Sequence, residues 1–119
     1  MDQLLLYFFE VRDNIKLFHF QTQSYAAHKA SDELEQSLST LLDQFMEAFQ
    51  GISGRRVPPI NSTIAIRTHT QDIVEYVKIF AIYLKKLELD KIVFDPGMLN
   101  ILAEMTAAAD KFIYLMTFQ

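Results

Sequence analysis

The sequence predicts an all-α chain folded as a four-helix bundle, two helical hairpins joined by a long crossover, in one domain spanning 1–119. Three observations predict it. Half of the 119 residues are hydrophobic, ten Phe and five Tyr among them, while three Gly and three Pro leave few sites for tight turns. That balance excludes a turn-rich β-sandwich, a disordered chain and a collagen-like repeat. The six breakers fall in two places, Gly51, Gly54, Pro58 and Pro59 in one and Pro96 and Gly97 in the other. Between them the apolar residues recur at helical spacing.

Helix 1 is placed at 3–21 and helix 2 at 25–50. A single helix over 1–50 would be about 75 Å long, and Gln21-Thr22-Gln23-Ser24 supplies the break, because Ser and Thr prefer caps and turns to helix interiors. Helix 2 carries Ala27, Leu34, Leu38, Leu41, Leu42, Phe45 and Phe49 within a sector of about 100° and is expected to end at Gly51. Helix 3 is placed at 68–88, with Thr68 and Gln71 as a capping box and Ile73, Val77, Phe80, Leu84 and Leu87 as its stripe. Helix 4 is placed at 96–117. Asp95-Pro96 supplies a cap followed by Pro at the first helical position. Ile101, Leu102, Met105, Ala108, Ala109, Phe112 and Met116 form its apolar face.

The connections set the topology. Short links pair helix 1 with helix 2 and helix 3 with helix 4 as antiparallel neighbours. The crossover 51–67 extends to at most about 55–60 Å, enough to run the length of helix 2, at about 38 Å, and start helix 3 at the same end. This is the ferritin-like arrangement of four helices. Ile52, Val57, Ile60, Ile64 and Ile66 suggest that the crossover lies against the bundle.

Composition narrows the function. Eleven Lys and Arg against fifteen Asp and Glu give a net charge of −4, with no basic run, which disfavours nucleic-acid binding. The absence of Cys removes disulfides, thiolate zinc sites and a cysteine nucleophile. The segment Met1–Glu10 lacks the features of a signal peptide, and its apolar run is far short of the roughly 20 residues that span a bilayer. The expectation is a cytoplasmic, intracellular protein without a membrane partner.

No Glu is followed at the third position by His, so the di-iron motif held within one chain is missing. The remaining constellation is His19, His28, Asp43 and Glu47, the imidazole and carboxylate set suited to Fe, Mn or Zn. Asp43 and Glu47, one turn apart, share a face. His28 lies roughly 22 Å from Asp43 along the helix axis, so the two cannot hold one ion within a chain. Their azimuths agree to within about 60° at 3.6 residues per turn, so antiparallel pairing of helix 2 with its copy would bring His28 of one subunit to Asp43 and Glu47 of the other.

The run His19-Phe20-Gln21-Thr22, with Tyr25, His28, Asp43, Glu47 and Gly51, resembles the first hairpin of the mini-ferritins (Dps-like proteins). It is more similar still to small ferritin-like proteins of phages and large DNA viruses. In the mini-ferritins two His and an Asp-x-x-x-Glu pair from two subunits form a ferroxidase centre. The resemblance therefore implies iron held by His28, His19, Asp43 and Glu47 between subunits, and oxidation of Fe(II). It covers about a third of the chain, and the spacing from His19 to His28 is shorter than is usual in that family.

Plainer readings stand beside these. Asp43 and Glu47 project away from the apolar stripe, as a solvated face would; His28 has Asp32 one turn away; His19 lies near the core stripe; His69 reads as a surface residue near a cap. Glu104 and Asp110 border the helix 4 stripe, and Met98, Met105 and Met116 read as core fillers. Helix 1 carries a second apolar line, Leu6, Phe9, Leu17 and Phe20, which marks a homodimer or larger homo-oligomer formed through helices 1 and 2. The two functional expectations are a ferritin-like metal protein of ferroxidase type and a non-catalytic structural or interaction bundle, such as a virion component, without metal.

Overall fold

The computed structural model describes residues 1–118; the last residue of the expected domain, Gln119, lies outside them. Its elements are α1 (Asp2–Gln21), α2 (Tyr25–Ser53), α3 (Ile73–Glu88) and α4 (Pro96–Leu115), followed by a short 3-10 helix, Met116–Phe118. No strand occurs among the described residues. Ser24 caps α2, its hydroxyl accepting from Ala27 N–H at 3.2 Å, and Asp95 caps α4, accepting from Met98 N–H at 2.8 Å.

Side-chain pairings give the directions. Phe8 meets Phe45, so α1 and α2 run antiparallel. Tyr7 meets Tyr83 and Asn14 meets Tyr76, so α3 also runs against α1 and therefore along α2. Lys85 pairs with Asp110 and Glu88 with Thr106, so α4 runs against α3. The result is two antiparallel hairpins joined by a long crossover, as the connection lengths predict. Val11, Ile15, Phe45, Val77, Phe80, Leu84, Leu102, Met105 and Phe112 fill the interior, the same residues whose helical spacing predicts the stripes. Met98, Met105 and Met116 are buried core fillers.

Three helix boundaries differ from expectation. Gly51 lies within α2, which continues to Ser53 and stops where Gly54 takes the left-handed conformation at φ 69°. The Thr68–Gln71 capping box does not form. The Thr68 hydroxyl accepts from the Gln21 amide at 3.3 Å, and α3 starts only at Ile73. The crossover accordingly runs from 54 to 72. The expected end of helix 4 is tightened into the 3-10 helix.

The crossover lies against the bundle as expected, with Val57 packed at the edge of the core and Ile64 half-buried, but its other apolar side chains do not hold it there. Ile52, Ile60 and Ile66 are exposed. Instead the fully buried Asn14 donates to Ala65 C=O at 2.7 Å and accepts from Arg67 N–H at 2.9 Å, while Glu10 accepts from Ala65 N–H at 2.9 Å. Two α1 side chains thus pair with the strap's backbone as a neighbouring strand would, satisfying groups that its irregular conformation leaves free. On the second apolar line of α1, Leu6, Phe9 and Leu17 are half-buried and Phe20 is exposed.

Candidate functional site: the histidine end of the bundle

All three histidines gather at one end, where α1 finishes and α2 and α3 begin. The three-residue link Thr22–Ser24 is short enough to bring the last turn of α1 onto the first turn of α2. There each of two imidazoles binds the other residue's backbone: His19 Nδ1 donates to His28 C=O at 2.9 Å, and His28 Nδ1 donates to His19 C=O at 3.0 Å. The rings stack with centroids 3.9 Å apart and planes 20° from parallel. Ser31 Oγ donates to Ala27 C=O at 2.7 Å and lies 3.4 Å from His19 Nδ1. Phe20 packs against His19 and Tyr25 lies over His28, so four rings form a column at the hairpin tip.

The carbonyl contacts decide the chemistry of the pair. A nitrogen facing a carbonyl oxygen must carry the proton, so in each neutral ring Nε2 holds the lone pair. That tautomer is the one in which histidine commonly ligates metals, its other nitrogen donating to a carbonyl. The lone pairs lie in the ring planes, and stacking keeps those planes nearly parallel and apart. In this arrangement the two rings do not converge on one ion.

His19 is buried and His28 half-buried, while Asp43 and Glu47 are both exposed, several turns along α2. No group of three His, Cys, Asp or Glu side chains able to hold a metal forms among the described residues of one chain. Asp32 is engaged by the Gln36 amide at 3.1 Å rather than by His28. Glu104 and Asp110, which the sequence places at the border of the bundle interior, are exposed.

His69 departs most from its surface reading: it is 2% exposed. Its Nδ1 donates to Asp72 Oδ1 at 3.2 Å, its ring lies 4.1 Å from that of Tyr76, and its Nε2 is buried without a partner. Burial, reinforced by the Glu10 charge, raises the Tyr76 hydroxyl well above the ordinary tyrosine range. The cluster is not legible in the sequence because His69 falls in the expected first turn of helix 3, ahead of the apolar stripe, whereas α3 starts only at Ile73. The signal available was the spacing His69-x-x-Asp72, which lets a carboxylate turn back onto the ring.

The family profile described as a family of unknown function (DUF5856) matches residues 19–116. The chain belongs to this family. The DUF5856 match starts at His19 and takes in the histidine end, both helix 2 carboxylates and the α3–α4 connection. A stretch of 41 residues is 49% identical to an uncharacterized 14.6 kDa protein in the mobD-ri intergenic region of Enterobacteria phage T4. It covers 34% of this chain and 32% of that protein, so the match spans about a third of the phage relative's length. No solved structure matches. No helix among the described residues is long and apolar enough to cross a membrane.

Proposed function

We propose that this chain is a non-catalytic, self-associating helical-bundle protein of phage type, whose work is done by its outer surface. The observation that supports the reading is the placing of its apolar side chains. At the centre, where all four helices meet, a cavity of about 10 Å³ is bounded by Phe8, Arg12, Leu38, Leu42, Phe80 and Met105. That is about the space of one water molecule, far below what a substrate needs. Large apolar side chains meanwhile stand exposed at both ends, Phe20 and Tyr25 at one, Leu89 and Ile92 at the other. Exposed apolar surface on this scale marks a partner-binding face. The similarity to an uncharacterized phage protein supports the phage type.

One observation favours a second reading. The tautomer fixed at His28 leaves Nε2 free to ligate, and Asp43 and Glu47 are exposed on the same helix. If two copies pair antiparallel along α2, His28 of one copy with Asp43 and Glu47 of the other would hold iron, or manganese or zinc, with His19 as the alternative nitrogen donor. Bound iron would supply Fe(II) oxidation of the ferritin-like kind. Within one chain these residues do not fit a metal, so this reading depends on the pairing. Elemental analysis of protein from iron-supplemented medium separates the two. The assembly reading expects wild type to carry no more Fe, Mn or Zn than His28→Ala and Asp43→Ala. Stoichiometric metal in wild type, lost in both variants, would establish the metal reading instead.

A further inference from the structure

We propose that the end of the bundle opposite the histidines is the face through which two copies of this chain pair. The inference rests on the self-association reading and assigns that reading a surface.

Four large aliphatic side chains crowd this end: Ile92 is 98% exposed, Leu89 79%, Ile52 61% and Val93 60%. Two features of the chain put them there. The α3–α4 connection turns Phe94 inward onto Phe45, at 5.7 Å between ring centroids, and thereby pushes Ile92 and Val93 outward. The last turn of α2, prolonged past Gly51, carries Ile52 out beside them. Between the two lies a groove of about 410 Å³, apolar where Phe49, Ile52, Ile92 and Met98 line it and polar at Ser53, Lys91 and Asp95.

A projecting side chain beside a partly apolar groove on the same face suits a two-fold interface, since each copy can offer its side chain to the other's groove. Ile92 is that side chain. The rim fits a second copy by charge as well. Asp90, Lys91 and Asp95 lie on the connection, and a rim of mixed sign can place Lys91 of one copy against Asp90 or Asp95 of the other, where a rim of one sign would repel its own copy. Both carboxylates are fixed in place, Asp90 accepting from Val93 N–H at 3.1 Å and Asp95 from Met98 N–H. At the histidine end Phe20, though exposed, has His19 beside its ring and the Lys16 ammonium above it, which leaves less bare apolar surface there.

The test is sedimentation equilibrium of the full chain with a chelator present, comparing wild type, Ile92→Asp and Phe20→Ser. Ile92 touches solvent almost entirely, so Ile92→Asp leaves the core intact, and circular dichroism checks this. The expected result is a wild-type dimer at micromolar concentration, a loss of affinity of about tenfold or more in Ile92→Asp, as for an interface anchor, and no change in Phe20→Ser. A dimer that persists unchanged in Ile92→Asp would overturn the assignment of this face and leave self-association standing. A wild type that stays monomeric would overturn both. Monomeric wild type that floats with phosphatidylcholine vesicles, and ceases to in Ile92→Asp, would overturn self-pairing and assign the face to a lipid surface.

Discussion

Tyr7, Tyr76 and Tyr83 stand where α1 faces α3, Tyr7 edge-on to Tyr83 at 4.7 Å and Tyr76 against Asn14. Burial, aided by the Tyr83 and Glu10 charges, pushes the Tyr7 hydroxyl up to about 12, and burial raises Tyr76 and Tyr83 in the same direction. In the unfolded chain a tyrosine ionises near pH 10. Between that value and the higher folded one, the unfolded state releases protons that the native state must keep, so stability falls as pH rises. The stability that these three tyrosines contribute is expected to be fully present below about pH 10 and to fall progressively towards pH 12. Tyrosinate absorbance and circular dichroism followed together should show these three rings ionising with unfolding rather than before it. Residues of this kind were the least legible in the sequence. Asn14 reads as one polar residue in an amphipathic helix, yet it is fully buried and ties α1 to the crossover. Its partners, Ala65 and Arg67, are more than fifty residues away, and the bonds are to backbone, which carries no sequence signal.

The helices themselves were legible because their stripes are periodic. Leu34, Leu38, Leu42 and Phe45 on α2 and Val77, Phe80 and Leu84 on α3 are buried as their spacing requires. Their ends were less so, because two glycines compete to stop α2. Gly51 has nothing within 4 Å of where a Cβ would stand, whereas Gly54 alone takes positive φ. Gly51→Ala is therefore expected to stabilise the chain by about 0.5–1 kcal/mol, since Ala is the better helix former. Gly54→Ala is expected to destabilise it by about 1 kcal/mol, through the strain of a left-handed alanine. Urea unfolding of the two variants checks both signs; an unchanged midpoint in Gly54→Ala would show that the helix end relaxes without cost. The start of α3 lies later because Thr68 is engaged by Gln21 of α1 and His69 turns onto Asp72, contacts that replace the capping box.

At the scale of the whole molecule, a chain half hydrophobic in composition forms a small bundle, 44 × 30 × 19 Å, whose interior is already full. The composition announced an apolar surplus, and helix periodicity located part of it on α1. The remainder was hidden, because Leu89, Ile92 and Val93 lie in a connection, where no period distinguishes an outward side chain from an inward one such as Phe94. The histidines and carboxylates were each visible in the sequence, but the stacking of His19 on His28 depends on how the three-residue link closes the hairpin tip. Small-angle X-ray scattering over a concentration series measures self-association itself. A dimer by forward scattering is expected, unaffected by chelator, with a longest dimension close to twice 44 Å, as end-to-end pairing requires. Scattering that fits a single bundle with a radius of gyration near 14.6 Å at every concentration would contradict it.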